Sequence, residues 1–398
     1  MRQGQEAVGS PLLTKMESSF SVSRVWVYGL ISIIVISIVK ALLDLSGIFH
    51  PALPASFDFI DFFRAAQSAF NGTIAREYRI IYPPQFPFFL APLGSLSFGM
   101  AYAVFIIPAA ALYVWLLSRL SGDRVLLLLL LSIIPIEIVI HSGQNGLITG
   151  TLVALASIGI VRQRWWAGVP LGLLIIKPHL AVAIGLYIIL SRSWRTAIAA
   201  MLTIGLVSGM TQMYFGVEIW RAFLQSWKTA GAYIHDGGLP IYRMCTPYAA
   251  LLASGAPFRA AIGVQIVTAI SAVTAMILMI RRKWPLHRTL GVVIICTPLL
   301  TPYFFDYDLP VVIVGFALLI EDIIKLMNEQ QRMLLYALIV FVGGVGLAQQ
   351  TILAKFLGEQ APRAMNLTGV AYVLATTLLW FGLTRGARQE RRIAMIPI

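Results

Sequence analysis

Long apolar runs alternate with short polar connections along most of the chain. The runs are roughly Val25–Leu43, Phe98–Leu117, Val125–Ile140, Leu147–Ile160, Trp166–Ile176, Leu180–Leu190, Ala197–Phe215, Ala260–Ile280, Leu290–Leu300, Leu309–Ile324, Leu334–Leu347 and Leu367–Phe381. A helix needs about 20 apolar residues to cross a hydrocarbon core of about 30 Å, so the shorter runs are expected to extend into their flanks. The pattern predicts an all-α polytopic membrane protein with about twelve transmembrane helices. No connection is long enough to hide a soluble domain. Residues 1–398 are expected to form one integrated membrane domain, with an N-terminal tail over 1–24, a first loop over 46–88 and a C-terminal tail over 385–398. Val25–Leu43 lacks a following small-x-small cleavage site and reads as an uncleaved first helix.

Charge orients this bundle. Arg2, Lys15 and Arg24 precede the first run; Arg119 with Arg124, Arg162 with Arg164, Arg192 with Arg195, and Arg281, Arg282, Lys283 and Arg288 mark later connections. Arg385, Arg388, Arg391 and Arg392 follow the last run. An even number of crossings puts both termini and all these clusters on the cytoplasmic side. Ser46–Phe88, "HSGQNG" at His141–Gly146, Gly216–Tyr248 and "TPYFFDYD" at Thr301–Asp308 then face the outside.

The stretch between Arg164 and Arg192 tests that topology. It holds 27 residues and carries Lys177-Pro178 at its centre. A single helix would put Lys177 in mid-membrane and one arginine cluster outside. Two short helices meeting at Lys177-Pro178 satisfy the charge rule and the helix-breaking proline together, with Lys177 on the floor of an outward cavity. Short halves of this kind need shielding by protein or water.

Composition agrees: 59% of residues are hydrophobic and 12% charged, against about 25% charged in soluble domains. The net charge of +13 would suggest nucleic acid in a soluble protein. Here it is dispersed over membrane flanks, implies anionic headgroups, and gives no nucleic-acid surface. Cys245 and Cys296 are two thiols or one disulfide, and no Cys/His cluster has zinc spacing.

"FDFIDFFRAAQSAFNG" places Asp58 and Asp61 three residues apart on one helical face, with Arg64 following. They are either the solvated face of an interfacial helix or a general base at a low-dielectric wall, where a carboxyl pKa rises. Tyr82-Pro83-Pro84 breaks the chain after them. Lys177 is either a snorkelling cation or a phosphate-binding one. Arg76 and Arg79 are further phosphate candidates, His179 a sugar or phosphate partner or a core histidine. Gln144 and Asn145 suit sugar hydroxyls through their amides, with helix capping as the alternative for Asn145. Asp306 and Asp308, among Tyr303 and Tyr307, are sugar-binding candidates or an interfacial aromatic cluster.

Taken in order, "DFIDFFRAAQSAFNG", "YPPQFPFFLAPL", "SGQNGLI" and "AGVPLGLLIIKPH" resemble the polytopic glycosyltransferases of family 87 over roughly Asp58–Leu190. That family includes the mycobacterial mannosyltransferases that extend phosphatidylinositol mannosides. The resemblance implies a GT-C-like bundle with interfacial extracytoplasmic helices. It also implies a polyprenyl-phosphate sugar donor, a lipid or glycan acceptor, and a site on the outer face of a bacterial plasma membrane. The acid opening the family's D-F-x-x-F/Y stretch is its catalytic base, a position held here by Asp58; Asp61 falls on a variable position.

The expected reaction is inverting transfer of a hexose, mannose-like, with Asp58 or Asp61 as base. Lys177, Arg76, Arg79 and His179 would hold the donor phosphate, and Arg64, Tyr82, Gln144, Asn145, Asp306 and Asp308 would contact sugar or acceptor. No cofactor is implied; convergence of the four aspartates would leave a divalent ion open. The competing class is a lipid or glycan transporter without chemistry, since broken helices and a buried lysine are transporter features too.

Overall fold

The computed structural model describes residues 58–78, 80–235, 240–357 and 365–394. The expected first span Val25–Leu43, the tail 1–24 and residues 46–57 of the first loop lie outside the described residues.

The described chain is helical, with one isolated bridge between Met244 and Phe305. Its helices are α1 (Phe59–Phe70), α2 (Gln85–Leu90), α3 (Phe98–Ser121), α4 (Val125–Ser142), α5 (Gly146–Val161), α6 (Gly168–Leu173), α7 (Val182–Leu190) and α8 (Trp194–Phe215). They continue as α9 (Glu218–His235), α10 (Pro247–Ala253), α11 (Phe258–Arg281), α12 (Leu286–Ile295), α13 (Thr297–Leu300), α14 (Leu309–Leu326), α15 (Glu329–Leu357) and α16 (Leu367–Ala394).

Among the described residues, five helical stretches are long and apolar enough to cross a membrane: Phe98–Ser142, Trp194–Phe215, Phe258–Arg281, Glu329–Gln349 and Leu367–Ala387. Shorter apolar helices cover Gly146–Val161, Trp165–Ile176, Pro178–Leu190 and Leu286–Ile295. The chain is therefore a multi-pass membrane protein by helix length and hydropathy, and the figure of about twelve spans goes beyond the stretches that meet both criteria. Exposed apolar faces fit this class. Ile198, Met201, Leu202, Leu206 and Met213 of α8 are all exposed, a surface that water would not tolerate at that extent.

Local chemistry explains where the helices depart from the expected runs. The run from Phe98 continues to Ser121 and stops at Gly122, whose φ of 55° suits a residue without Cβ. Leu290–Leu300 is not one helix: Pro298 lacks the N–H a continuing helix needs, and α12 ends at Ile295 before α13 begins. The last helix runs through Arg385 to Ala394, so most of the expected tail is helical, as its Arg, Gln, Glu and Ala content favours.

At the centre stands α14, buried continuously from Leu309 to Ile320. Gly291 of α12 and Gly315 of α14 face each other so closely that a Cβ on Gly315 would lie 2.7 Å from the Gly291 carbonyl oxygen. Small residues at such crossings let backbones approach and gain dispersion contact. Cys245 and Cys296 are both free and buried.

The Lys177 break is present. A turn over Leu174–Ile176 ends at Lys177, whose φ of −148° and ψ of 67° leave the helical region, and Pro178 starts the next turn. Gly168 packs against Thr196 and Gly172 against Ala200 and Thr203, so α6 runs parallel to α8. The chain between them returns through α7, which makes α6 and α7 the two legs of a hairpin with Lys177 at its tip. Arg164 and Arg195 thus share one end of the bundle. Arg124 reaches Glu321, and Arg288 reaches Asp322, at the C-terminal end of α14. Lys177 meets Asp308 at the opposite, N-terminal end.

Candidate functional site

The site gathers at that N-terminal end, and each contributor is brought there by an identifiable local cause. Asp58 sits at the N-terminal boundary of α1, whose inner face of Phe59, Phe62, Ala65, Ala66 and Ala69 is buried. Phe59 meets Phe98, Tyr102 and Phe105 with ring centroids 5.2–5.4 Å apart. Gly94 makes the other side of the seat, since a Cβ there would lie 2.4 Å from the Ala66 carbonyl oxygen. The helix is fixed on both sides, so its first carboxylate is fixed too.

The turn "SGQNG" is clamped between this helix and the 306–308 turn. Gly143 takes a left-handed φ of 66°, and a Cβ on it would meet the Phe59 Cβ at 2.4 Å. A Cβ on Gly146 would lie 1.9 Å from the Tyr307 carbonyl oxygen. Glycine is required at both positions, and the two residues between them have their directions set. Gln144 Nε2 donates to Asp58 Oδ2 at 2.9 Å, and Tyr82 Oη donates to Gln144 Oε1 at 3.1 Å. Asn145 turns the other way: its Oδ1 accepts from Lys177 Nζ at 3.2 Å, and it makes no capping bond to α5.

Lys177 is buried and also donates to Asp308 Oδ1 at 2.5 Å. Its ammonium lies 4.6 Å from the Tyr307 ring centroid and 5.7 Å from that of Tyr82, within cation–π range. Arg243, whose guanidinium carbon lies 5.9 Å from the Tyr307 ring centroid, forms a two-pronged pair with Asp306: Nε to Oδ2 at 2.8 Å and Nη2 to Oδ1 at 2.9 Å. Planar guanidinium and carboxylate groups match in this way, which fixes geometry as well as charge. The antiparallel bridge of Met244 with Phe305, and the Cys245 N–H bonded to the Phe304 carbonyl at 2.8 Å, hold the two segments together.

Electrostatically, Asp58 is the unusual group. Burial raises its carboxyl pKa above the ordinary 3.8, against the opposing pull of the Gln144 hydrogen bond and the Arg243 and Lys177 charges. That is the direction a general base needs, because a more basic carboxylate accepts a proton more readily at neutral pH. Tyr303 is pushed up to about 12 by burial and remains a neutral donor.

A cavity of about 460 Å³ opens beside Lys177, walled by Tyr82, Ile176, His179, Phe223, Trp227 and Tyr303. His179 stands edge-on to Tyr303 at 5.3 Å, and its buried Nε2 has no hydrogen-bond partner. The Asn145 Nδ2 is likewise buried without one. The amide nitrogen is a donor, and the imidazole nitrogen a donor or an acceptor according to its tautomer.

Several expected residues are not drawn in. Asp61 is exposed and pairs with Arg64 across 3.5 Å on the outer side of α1. Arg76 is exposed on the following loop, and Arg79 lies outside the described residues. Asp306 and Asp308 diverge, one to Arg243 and one to Lys177; among the described residues no three His, Cys, Asp or Glu side chains gather as a metal site. Arg243 is the group the sequence reading missed. Its signal was slight, one arginine before a short helix in "IYRMC", and its position depends on a bridge to a segment some sixty residues away.

A family model described as glycosyltransferase family 87 matches residues 80–302. The matched span takes in Tyr82, Gln144, Asn145, Lys177 and Arg243, while Asp58, Asp306 and Asp308 flank it. No curated protein and no solved structure matches the chain.

Proposed function

We propose that this chain, which belongs to glycosyltransferase family 87, moves a mannose-like hexose from a polyprenyl-phosphate donor to a lipid or glycan acceptor at the outer face of a bacterial plasma membrane. Both termini then lie in the cytoplasm. The observation that carries the reading is the Gln144-Asn145 pair, which ties a half-buried carboxylate of raised pKa to a buried lysine within one turn of chain.

Transfer has two chemical demands. The acceptor hydroxyl must lose a proton as it attacks, and the phosphate must be stabilised as it leaves. Asp58 meets the first demand. It takes the acceptor's proton while the acceptor oxygen bonds to the anomeric carbon. The bond from that carbon to the phosphate oxygen breaks on the opposite face, and its electron pair leaves with polyprenyl phosphate. Configuration inverts because attack and departure occur on opposite faces in one step.

Lys177 meets the second demand, with Arg243 behind it, as fixed positive charge in a site where water is scarce. His179 Nε2 and Asn145 Nδ2 are available to phosphate or sugar oxygens. The apolar walls of the cavity suit the first prenyl units, and its position beside Lys177 puts the phosphate where the cation is. Confinement of the arginine clusters to the other end of the bundle supports the orientation, since cytoplasmic ends carry the excess of Lys and Arg.

Radiolabelled polyprenyl-phosphate sugar supplied to membranes tests the reading. Wild type should label an acceptor, and Asp58→Asn should lose transfer by roughly 10²–10⁴-fold, the usual contribution of a positioned base. Full activity in a folded Asp58→Asn variant would overturn the assignment of Asp58. Absence of transfer by wild type with several sugar donors would overturn the donor class.

A further inference from the structure

The stretch "MNLTGV" at Met365–Val370 opens the last helix, and its asparagine does more than open it. Asn366 Oδ1 accepts from the Gly369 N–H at 2.5 Å, a capping bond that Ser, Thr or Asp would make as well. Its amide nitrogen, which those residues lack, donates to the Ile241 carbonyl at 2.5 Å and to the Met244 carbonyl at 2.8 Å. Both ends of a buried amide are thus engaged with backbone, and capping explains only one of the three bonds. We propose that Asn366 is a positioning residue: it fixes the turn that carries Arg243, and through Arg243 it sets the grip of the site on the donor phosphate. The second step rests on the phosphate contact proposed above.

The two carbonyls that Asn366 holds bracket Arg243. Ile241–Arg243 is one short turn, and Met244 follows it. Thr368 Oγ1 donates to the Tyr242 carbonyl at 3.2 Å. The start of α16 therefore bonds the carbonyls of Ile241, Tyr242 and Met244. Gly369 belongs to the same contact, since a Cβ there would lie 2.4 Å from the Thr246 carbonyl oxygen. Helix α15 closes on the same residue: a Cβ on Gly346 would lie 3.1 Å from the Arg243 Cα and 3.2 Å from Asp306 Oδ2. Gln349 Nε2 donates to the Met365 carbonyl at 2.7 Å, which joins α15 to the residue before Asn366.

A turn of three residues cannot hold itself through helical hydrogen bonds. An arginine side chain is long and flexible, and a charge helps a departing anion most when its position is set beforehand. Asp306 sets the guanidinium end through its two-pronged bond. Asn366 sets the other end, the backbone from which the side chain leaves. A second buried amide shows a clamp without such a charge. Gln265 Oε1 accepts from the Tyr248 N–H at 3.1 Å, and its Nε2 donates to the Leu299 carbonyl at 2.9 Å and the Pro298 carbonyl at 3.4 Å. None of these three partners is charged, and none lines the cavity beside Lys177.

Binding of radiolabelled polyprenyl phosphate and of uncharged polyprenol to purified protein tests the proposal. The ratio of the two affinities reports the phosphate contact and cancels damage common to both. Wild type should prefer the phosphate. In Asn366→Ala the ratio should fall about tenfold, roughly the effect of one disturbed hydrogen bond to a charged group. Thr368→Val should lower it by less, and Gln265→Ala should leave it unchanged. Arg243→Gln/Asn366→Ala should discriminate no worse than Arg243→Gln alone, because Asn366 acts through Arg243. Additive losses, or an equal fall in Gln265→Ala, would overturn the proposal. So would an unchanged ratio in folded Asn366→Ala or, should that variant not fold, in Thr368→Val.

NMR of the Arg243 Nε–H, assigned by its loss in Arg243→Lys, separates the two steps. In wild type this group bonds Asp306 and should exchange slowly with solvent. Exchange should be about tenfold faster in Asn366→Ala, as local opening becomes easier, and unchanged in Gln265→Ala. That result, with no wild-type preference for polyprenyl phosphate over polyprenol, would keep Asn366 as the positioner of Arg243 and count against the phosphate contact alone. Unchanged exchange in Asn366→Ala would overturn the positioning whatever the protein binds.

Discussion

The two ends of α14 solve one electrostatic problem in two ways. At its C-terminal end Glu321 meets Arg124 at 3.2 Å, and both side chains are about half exposed. At its N-terminal end Asp308 meets Lys177 at 2.5 Å, with side-chain exposures of 0% and 4%. An exposed pair gains at most about 1 kcal/mol, because water already stabilises both charges. A buried pair needs its own hydrogen bonds to offset desolvation, and apolar residues of the same volume are often as stable or more so. Stability alone therefore does not account for charges at the inner end. Asn145, Tyr82 and Tyr307 surround Lys177 with partners that hold its ammonium in place. That arrangement suits the phosphate contact proposed for Lys177, whereas the other end carries an exposed pair at a helix end.

The largest effect should come from breaking the inner pair. Asp308→Ala leaves the Lys177 ammonium buried with Asn145 as its remaining hydrogen-bond acceptor among the contacts described, and a loss of about 3–5 kcal/mol is expected in thermal or denaturant unfolding. Lys177→Met combined with Asp308→Leu should recover most of that stability and none of the transfer activity. Recovery of both would make the pair structural and collapse the contrast between the two ends.

Next in size is Gly146→Ala. Its Cβ would fall 1.9 Å from a backbone carbonyl, which cannot move aside as a side chain can, so the 143–146 turn must shift. Overpacking of this kind costs about 1–3 kcal/mol. Because Gln144 and Asn145 ride on that turn, activity should fall further than stability does. Unchanged transfer would mean that their placement is not critical.

The position of Arg124 was far easier to read from sequence than the pairing of Lys177 with Asp308. Arginines at the flanks of apolar runs mark ends of helices, and the structure puts Arg124, Arg164, Arg195 and Arg288 at ends. The hairpin at Lys177-Pro178 was equally legible, since a proline after a lysine inside a short apolar run allows few backbones. "SGQNG" announced a glycine-bounded turn, although not that each amide would face a different ionisable group. What stayed hidden was pairing across distance. Nothing local to Arg243 says that it meets Asp306, and nothing in Asp61 says that it faces outward while Asp58, three residues earlier, bonds Gln144. Helical spacing placed both acids on one face, and it could not tell that Asp58 would be half-buried against Gln144 while Asp61 stays exposed beside Arg64.

The smallest effects sharpen the comparison most. Gln144→Ala removes the hydrogen bond that favours the charged form of Asp58, so its pKa, already raised by burial, should rise further. Asp58 acts as a base only when deprotonated. The acidic limb of kcat/KM should therefore move to higher pH, with the fall in rate greatest at low pH and smaller above the new midpoint. A uniform fall at every pH would point instead to a purely structural amide. At the other end, Arg124→Ala should change unfolding stability by less than about 1 kcal/mol and leave the pH profile where it was. A displaced acidic limb in that variant would mean that the far end of α14 is coupled to Asp58, and the division of labour between the two ends would fail.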